Sequence, residues 1–487
     1  MYSIGYDIGS SSIKAVLIET DTGKTVASTQ YPKIEMDIIS KNSGWAEQHP
    51  EIWWENVCNA TKEILKNSNV SPKEIKGIGI AYQMHGLVCV DKEMNVLRSS
   101  IIWCDSRAVD IGRQAYENLG SKCLEHSLNA PGNFTASKLK WVKENEPEIY
   151  QKIFKILLPG DYIAMKLTGE LSTTISGLSE AILWDFKENK VADFLLDYFG
   201  LSSELLPKVV DTFGEQGYLT PDAAEACGLH PGTPVSYRAG DQPNNALALN
   251  VFSPGEIAAS GGTSGVVYGV PDRNIYDKES RVNNFAHVNH SPDNPRIGVL
   301  LCINGAGILY SWIKNQLSKE VTYEDMEKIM DAIPVNSEGL SILPFGNGVE
   351  RMFQNRNPEA GAYICNLQFN RHTNAHIYRA TLEGIAYSFI YGIKILNEMG
   401  LKTSVIRVGN DNLFQSGIFS STVCNLAESS IEVINTSGAA GAAKAAAYGL
   451  GEYKDLKEAF GNNEIVDRYD PGNKNCMRMV MKPGNQN

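Results

Sequence analysis

The 487 residues carry 44 Lys and Arg against 56 Asp and Glu, and the resulting formal charge of −12 disfavours a general nucleic-acid binder. Hydrophobic residues at 43% and charged residues at 21% match ordinary globular usage, which excludes a disordered or fibrous chain. The length predicts two domains of roughly 200–250 residues each.

No apolar run reaches the length of a membrane span, and the opening MYSIGYDIGS has no basic stretch followed by a long apolar one. A cytoplasmic location with no membrane partner is expected. The nine cysteines are an odd number, scattered from Cys58 to Cys476 without a CxxC pair, as suits free thiols in a reducing compartment. His287 with His290, and His372 with His376, have metal-compatible spacings but no acidic or thiol partner at ligand spacing, which favours structural roles.

In chain order, residues 2–9 read as a strand ending in glycine, and 13–20 and 25–31 as two further β-rich runs joined by the turn DTGK. EIWWENVCNATKEILK after Pro50 has helical spacing, IKGIGIAYQ at 75–83 reads as a buried strand, and VLRSSIIWCD at 96–105 as another. Helices are predicted over 135–153 and 192–200, then a strand over 233–241. A second hairpin with a glycine loop follows at 255–270, then helical periodicity over 376–400, a strand at SVIRVGN and a small-residue helix at GAAGAAKAAAYGLG. Residues from about 465 read as a loosely held tail, with RMVMK at 478–482 as a short strand. The repeated order implies two α/β domains, 1–248 and 249–487, facing one cleft.

Neither GxxxxGK[ST] nor a helix-opening GxGxxG is present, so the phosphates of a nucleotide would need another cradle. Two small-residue loops qualify, Asp7-Ile8-Gly9-Ser10-Ser11-Ser12 and Gly261-Gly262-Thr263-Ser264-Gly265, where missing Cβ atoms let backbone N–H groups converge on an anion. Each alone is more often a plain hairpin turn, and it is their pairing that favours a phosphate cradle. Asp7, Gln83 with His85, Asp105 and Asp241 all fall at or just past the carboxyl ends of predicted strands, where open α/β sheets place ligands. Phosphoryl transfer to a hydroxyl needs a base, a magnesium ion and donors for developing charge. Asp7, against the first glycine loop, suits Mg2+ or its waters, and Asp241 suits the base.

The ordered segments GYDIGSSS, GWAEQHPEIWW, YQMHG, WCDSR, PGNFTASKLKWV, LLPGDYI, AGDQ and GGTSG resemble the FGGY carbohydrate kinase family over residues 5 to about 450. The resemblance implies two actin-like (ribonuclease H-like) ATPase domains, use of ATP and Mg2+, a homodimer, and phosphorylation of a small ketose, D-xylulose first, to the 5-phosphate. Asp241 then matches the catalytic aspartate, its alternative being a helix N-cap. Met84 and His85 match the ketose-contacting pair. Asp105 matches a position beside the sugar, with a salt bridge to Arg107 as its alternative, and Trp103 offers an apolar face. Thr263 and Gly262 resemble the second phosphate loop, and Gly305 in NGAG and Gly409 resemble adenosine-side residues.

Three departures qualify that likeness. The glycine-rich adenosine motif reads Gly409-Asn410-Asp411-Asn412, and the aspartate brings negative charge near a polyphosphate while the asparagines offer hydrogen bonds to ribose or base. The GERTP segment reads Val349-Glu350-Arg351-Met352-Phe353. After Asp241 come Gln242-Pro243-Asn244-Asn245, so Gln242 and Asn245 add amides that bear on hydroxyl selection. Three rivals stay open: a kinase of the same fold for ribulose or gluconate, a sugar- or nucleotide-sensing protein without catalysis, and an actin-like ATPase without a small-molecule acceptor.

Overall fold

The computed structural model describes residues 1–349 and 361–472. In chain order its principal elements begin with strands β1 (Tyr2–Ile8), β2 (Ile13–Glu19) and β3 (Thr25–Tyr31), helix α1 (Pro50–Ser68) and strand β4 (Ile75–Tyr82). Helices α2 (Thr135–Asn145) and α3 (Ile175–Glu180), strand β5 (Val235–Gly240) and helix α4 (Asp241–Ala248) follow. Next come β6 (Glu256–Gly261), β7 (Gly265–Gly269), β8 (Ile297–Ile303), α5 (Gly307–Leu317), α6 (Asn374–Glu398), β9 (Val405–Gly409), β10 (Ser430–Ile434), α7 (Gly438–Gly449) and β11 (Ile465–Tyr469).

The chain divides into two compact units that are not contiguous in sequence. The first holds Met1–Phe252, Asn284–Ile297 and Ser437–Asn462; the second holds Ser253–Asn283, Gly298–Thr436 and the described residues from Asn463 on. This differs from the single boundary expected after residue 248, and the reason is visible in α7. That helix is built almost wholly of alanine and glycine, and two sheet glycines admit it at backbone distance. A Cβ on Gly5 would lie 2.1 Å from the Ala439 carbonyl oxygen, and one on Gly79 2.0 Å from that of Ala442. The Ser3 hydroxyl donates to the Ala443 carbonyl at 2.8 Å. A late segment of the chain thus completes the core of the first unit.

The first unit's main sheet runs β5-β4-β1-β2-β3. β1 to β3 form an antiparallel meander, whereas β1, β4 and β5 are mutually parallel, with Ile8 opposite Tyr82 and Gly240 opposite Tyr82. Parallel pairing aligns the carboxyl ends of these three strands on one edge, which brings Asp7, Gln83 and Asp241 together. In the second unit β8, β7, β6, β9, β10 and β11 are successive neighbours in one sheet.

Several local expectations change. The helix expected over 135–153 breaks after Asn145, because Pro147 restricts the residue before it and starts a new short helix at Pro147–Tyr150. Of 96–105 only Ser100–Ile101 is strand. Residues 465–469, expected in a loose tail, pair antiparallel with β10 as an edge strand. The 478–482 strand and the Glu350–Phe353 segment lie outside the described residues. No helix among the described residues is long and apolar enough to cross a membrane.

Candidate active site

Asp241 follows the last residue of β5 and opens α4. Desolvation first and the charge of Asp7 second raise its carboxyl to about 7, against the Gln242 amide, which donates to Oδ2 at 3.2 Å. Asp7 is itself pushed up by burial, against the pull of Lys14. Gly438, the first residue of α7, sits against Asp7 and Asn245: a Cβ there would lie 2.7 Å from Asn245 Oδ1 and 2.9 Å from Asp7 Oδ2. Asn245 therefore stands beside Asp7, and Gln242 is committed to Asp241.

Met84 is 4% exposed and walls the same place, since a Cβ on Gly240 would meet its Cγ at 2.6 Å. Gln83, also 4% exposed, hydrogen-bonds through its backbone N–H to the Ile8 carbonyl at 2.8 Å. Both polar atoms of its side-chain amide are buried without a hydrogen-bond partner. Such an amide marks a place built for a polar guest, because its desolvation is otherwise uncompensated.

His85 has φ 61°, in the left-handed region. Its N–H donates to Glu180 Oε2 at 2.8 Å, its carbonyl accepts from Lys138 Nζ at 2.7 Å, and its ring Nδ1 lies 2.9 Å from the Glu180 carbonyl. The ring packs at 4.9 Å from Phe134 and 5.3 Å from Phe285. Glu180 and Lys138 carry no sequence signal of their own; Lys138 sits unremarked inside PGNFTASKLKWV. Burial raises the Glu180 carboxyl well above its usual range and lowers the Lys138 ammonium to about 7.

Asp105, expected beside the sugar with a salt bridge to Arg107 as its alternative, makes that salt bridge. It is fully buried, accepts from Arg107 Nε at 3.0 and 2.9 Å and from Nη2 at 2.7 Å, and takes the Ala46 N–H at 2.6 Å. Arg107 is stacked in turn 3.9 Å over Trp45. With its oxygens so engaged, Asp105 braces the loop that carries Trp103, whose indole is 53% exposed and donates to Ser10 Oγ at 3.3 Å. Around that serine, Gly9 N–H closes a turn onto the Ser12 carbonyl at 3.1 Å, and the Ser11 carbonyl accepts from Met36.

In the second unit the β6–β7 hairpin presents Gly262 and Thr263, whose carbonyls accept from Gly307 and Ile308 at the start of α5 at 2.9 and 3.2 Å. Gly305, with φ 90°, leads into that helix, and a Cβ on it would lie 1.8 Å from the Pro344 carbonyl oxygen. Only glycine fits both constraints. Gly409 ends β9, and Asn410 N–H donates to the Ile434 carbonyl at 3.1 Å. Asn412 accepts from Gly261 N–H at 3.0 Å while its amide donates to Asp411. The asparagine-rich departure from a glycine run thus ties the 409–412 segment to the β6–β7 hairpin.

The histidine pairs have structural partners. His290 Nδ1 accepts from Arg296 N–H at 3.2 Å, and His372 and His376 accept from the N–H groups of Gln368 and Thr373, each at 3.1 Å.

A family model described as the N-terminal domain of the FGGY family of carbohydrate kinases matches residues 2–248, and one for its C-terminal domain matches 257–450. The xylulose kinase of Bacillus subtilis (strain 168) is 31% identical over 471 residues, covering 94% of this chain and 90% of that one. The crystal structure of xylulose kinase from Rhodospirillum rubrum superposes with a TM-score of 0.88 at 23% identity, covering 99% of this chain and 96% of that one. That of gluconate kinase from Lactobacillus acidophilus gives 0.88 at 22%, covering 98% and 96%.

Proposed function

The chain belongs to the FGGY family of carbohydrate kinases, with that family's two-domain actin-like fold and use of ATP, and we propose that it phosphorylates D-xylulose to D-xylulose 5-phosphate with Asp241 as general base. The observation that carries this reading is the part-buried Asp241 carboxyl, raised to about 7 by desolvation and the charge of Asp7, with Met84 packed against the preceding Gly240. A base with that affinity is half ionised near neutral pH and accepts a hydroxyl proton as the alkoxide character develops.

In the proposed step the terminal hydroxyl oxygen bonds to the γ-phosphorus of ATP, its proton passes to an Asp241 oxygen, and the bond from phosphorus to the bridging oxygen breaks to release ADP. Gln242 orients the Asp241 carboxyl through its amide contact to Oδ2. Gln83, with its unpaired buried amide, and His85 take sugar hydroxyls, while Met84 and Trp103 cover C–H faces. On the second unit the Gly262–Thr263 hairpin, with Gly305, receives phosphate, and Gly409, Asn410 and Asp411 lie toward the nucleoside.

The oxygen-only donor set of Asp7, with Asp241 beside it, fits Mg2+, which prefers one or two carboxylates, waters and substrate phosphates. Asp7 would hold it or its waters, and it would neutralise charge on the transferring phosphates.

The test is ADP release by the purified protein with MgATP across D-xylulose, D-ribulose, L-ribulose, D-gluconate and glycerol. Preference for D-xylulose is the expected result. The gluconate kinase of equal structural likeness makes gluconate the second acceptor to watch. Preference for another acceptor overturns the substrate and keeps the kinase; no stimulation by any acceptor returns the sensing and ATPase readings.

A further inference from the structure

We infer that Glu180 and Lys138 form a two-sided buried clamp that holds His85 in its left-handed backbone conformation, and that both are positioning residues for sugar recognition. The inference rests on the reading that His85 touches the sugar.

Left-handed backbone is disfavoured for any residue with a Cβ, and it persists where surroundings over-determine it. At His85 both adjoining peptide groups are seized from opposite sides. Glu180 Oε2 takes the N–H at 2.8 Å and Lys138 Nζ grips the carbonyl at 2.7 Å. The backbone carbonyl of Glu180 also lies 2.9 Å from ring Nδ1. A carbonyl only accepts, so Nδ1 carries the proton, and in the neutral ring Nε2 holds the lone pair. Backbone direction, ring direction and tautomer are thereby set together.

The clamp residues are buried ionisable groups, and Glu180 also faces the Tyr82 hydroxyl and the Asp241 carboxyl. Glu180 is 1% and Lys138 0% exposed, and ionisable groups are seldom buried so completely without a dedicated partner. The second bond of Lys138, to the Ile102 carbonyl at 3.0 Å, ties the His85 loop to the residue just before Trp103. One ammonium therefore fixes the spacing of YQMHG and WCDSR, two segments with no neighbouring positions in sequence. Phe134 and Phe285 close the remaining sides of the ring.

The experiment is a double-mutant cycle on the full-length protein, read as KM for the preferred sugar, KM for ATP and Tm. Glu180→Leu and Lys138→Met should each raise the sugar KM roughly tenfold or more, because a buried His85 peptide group loses its partner, with the ATP KM moving less than about threefold. Glu180→Gln keeps a carbonyl acceptor for the His85 N–H and should recover most of the loss. In a His85→Ala background, Glu180→Leu should add no further rise, since it acts through the ring it positions. Losses that simply add, or a sugar KM and ATP KM that rise together in step with falling Tm, would overturn the clamp. If His85→Ala alone leaves the sugar KM intact, the sugar contact is what fails, and the clamp has no role in recognition. Should Glu180→Leu not fold, Lys138→Met enters the same cycle in its place.

Discussion

The first unit gathers buried and part-buried ionisable side chains around its parallel strand ends, whereas the second gathers glycines around its β6–β7 hairpin, one of them tied to an asparagine. Asp7, Asp241, Glu180 and Lys138 all have affinities for protons moved by burial. Gly305, Gly261 and Gly409 contribute shape and close backbone approach and titrate nothing. Selecting among sugar hydroxyls needs directional partners whose misfit is penalised, while gripping phosphate needs only converging donors and room for close approach. The contrast predicts that substitutions in the first unit change chemistry and pH response, and that those in the second change fit and stability.

The largest expected effect tests the first half of that contrast. Asp241→Ala should lower sugar-dependent ADP release by on the order of 10²–10⁴, the usual weight of a general base, with nucleotide binding retained in a calorimetric titration. Near-normal turnover would remove Asp241 from the mechanism.

A smaller effect tests the second unit. Gly305→Ala meets both a left-handed φ and a carbonyl oxygen 1.8 Å from the new methyl, and should cost about 1–3 kcal/mol of stability in a denaturant titration. It should leave the pH profile of turnover where it is.

The smallest effect is a pH dependence. The native Asp241 carboxyl sits at about 7 against 3.8 for the ordinary side chain, so between these values the native state binds the proton and the unfolded chain does not. Stability from this group is therefore present below about 4 and falls as pH rises toward 7. In chelator-treated protein, Tm should decline from pH 5 to 8 more steeply in wild type than in Asp241→Asn. Parallel curves would mean that the carboxyl titrates as an ordinary aspartate.

Much of this arrangement is legible in the chain. Strand ends at Asp7, Gln83 and Asp241 follow from apolar runs closed by polar residues, and parallel pairing does the rest. Glu180 escaped notice because ISGLSE is a short helix with no periodic or motif signal, and its importance comes from a contact 95 residues away. Asp105 stayed two-valued for a related reason: a carboxylate two residues before an arginine reads alike as ligand or ion pair, and only the fold shows the ion pair formed. The placement of 438–449 against β1 and β4 lay in paired features, glycines at 5 and 79 and an alanine-rich helix, that only make sense once joined.

That joining has a consequence for how the polypeptide is made. Ser3 meets its partner Ala443 across 440 residues of sequence, so β1 leaves the ribosome long before the helix that covers it. At bacterial or eukaryotic elongation speeds of about 5–20 residues per second, the apolar face around Gly5 and Gly79 waits roughly 20–90 seconds for α7. The sheet of the first unit thus waits uncovered for its last helix, and a nascent chain stalled before residue 438 should be a client for chaperones rather than a folded half.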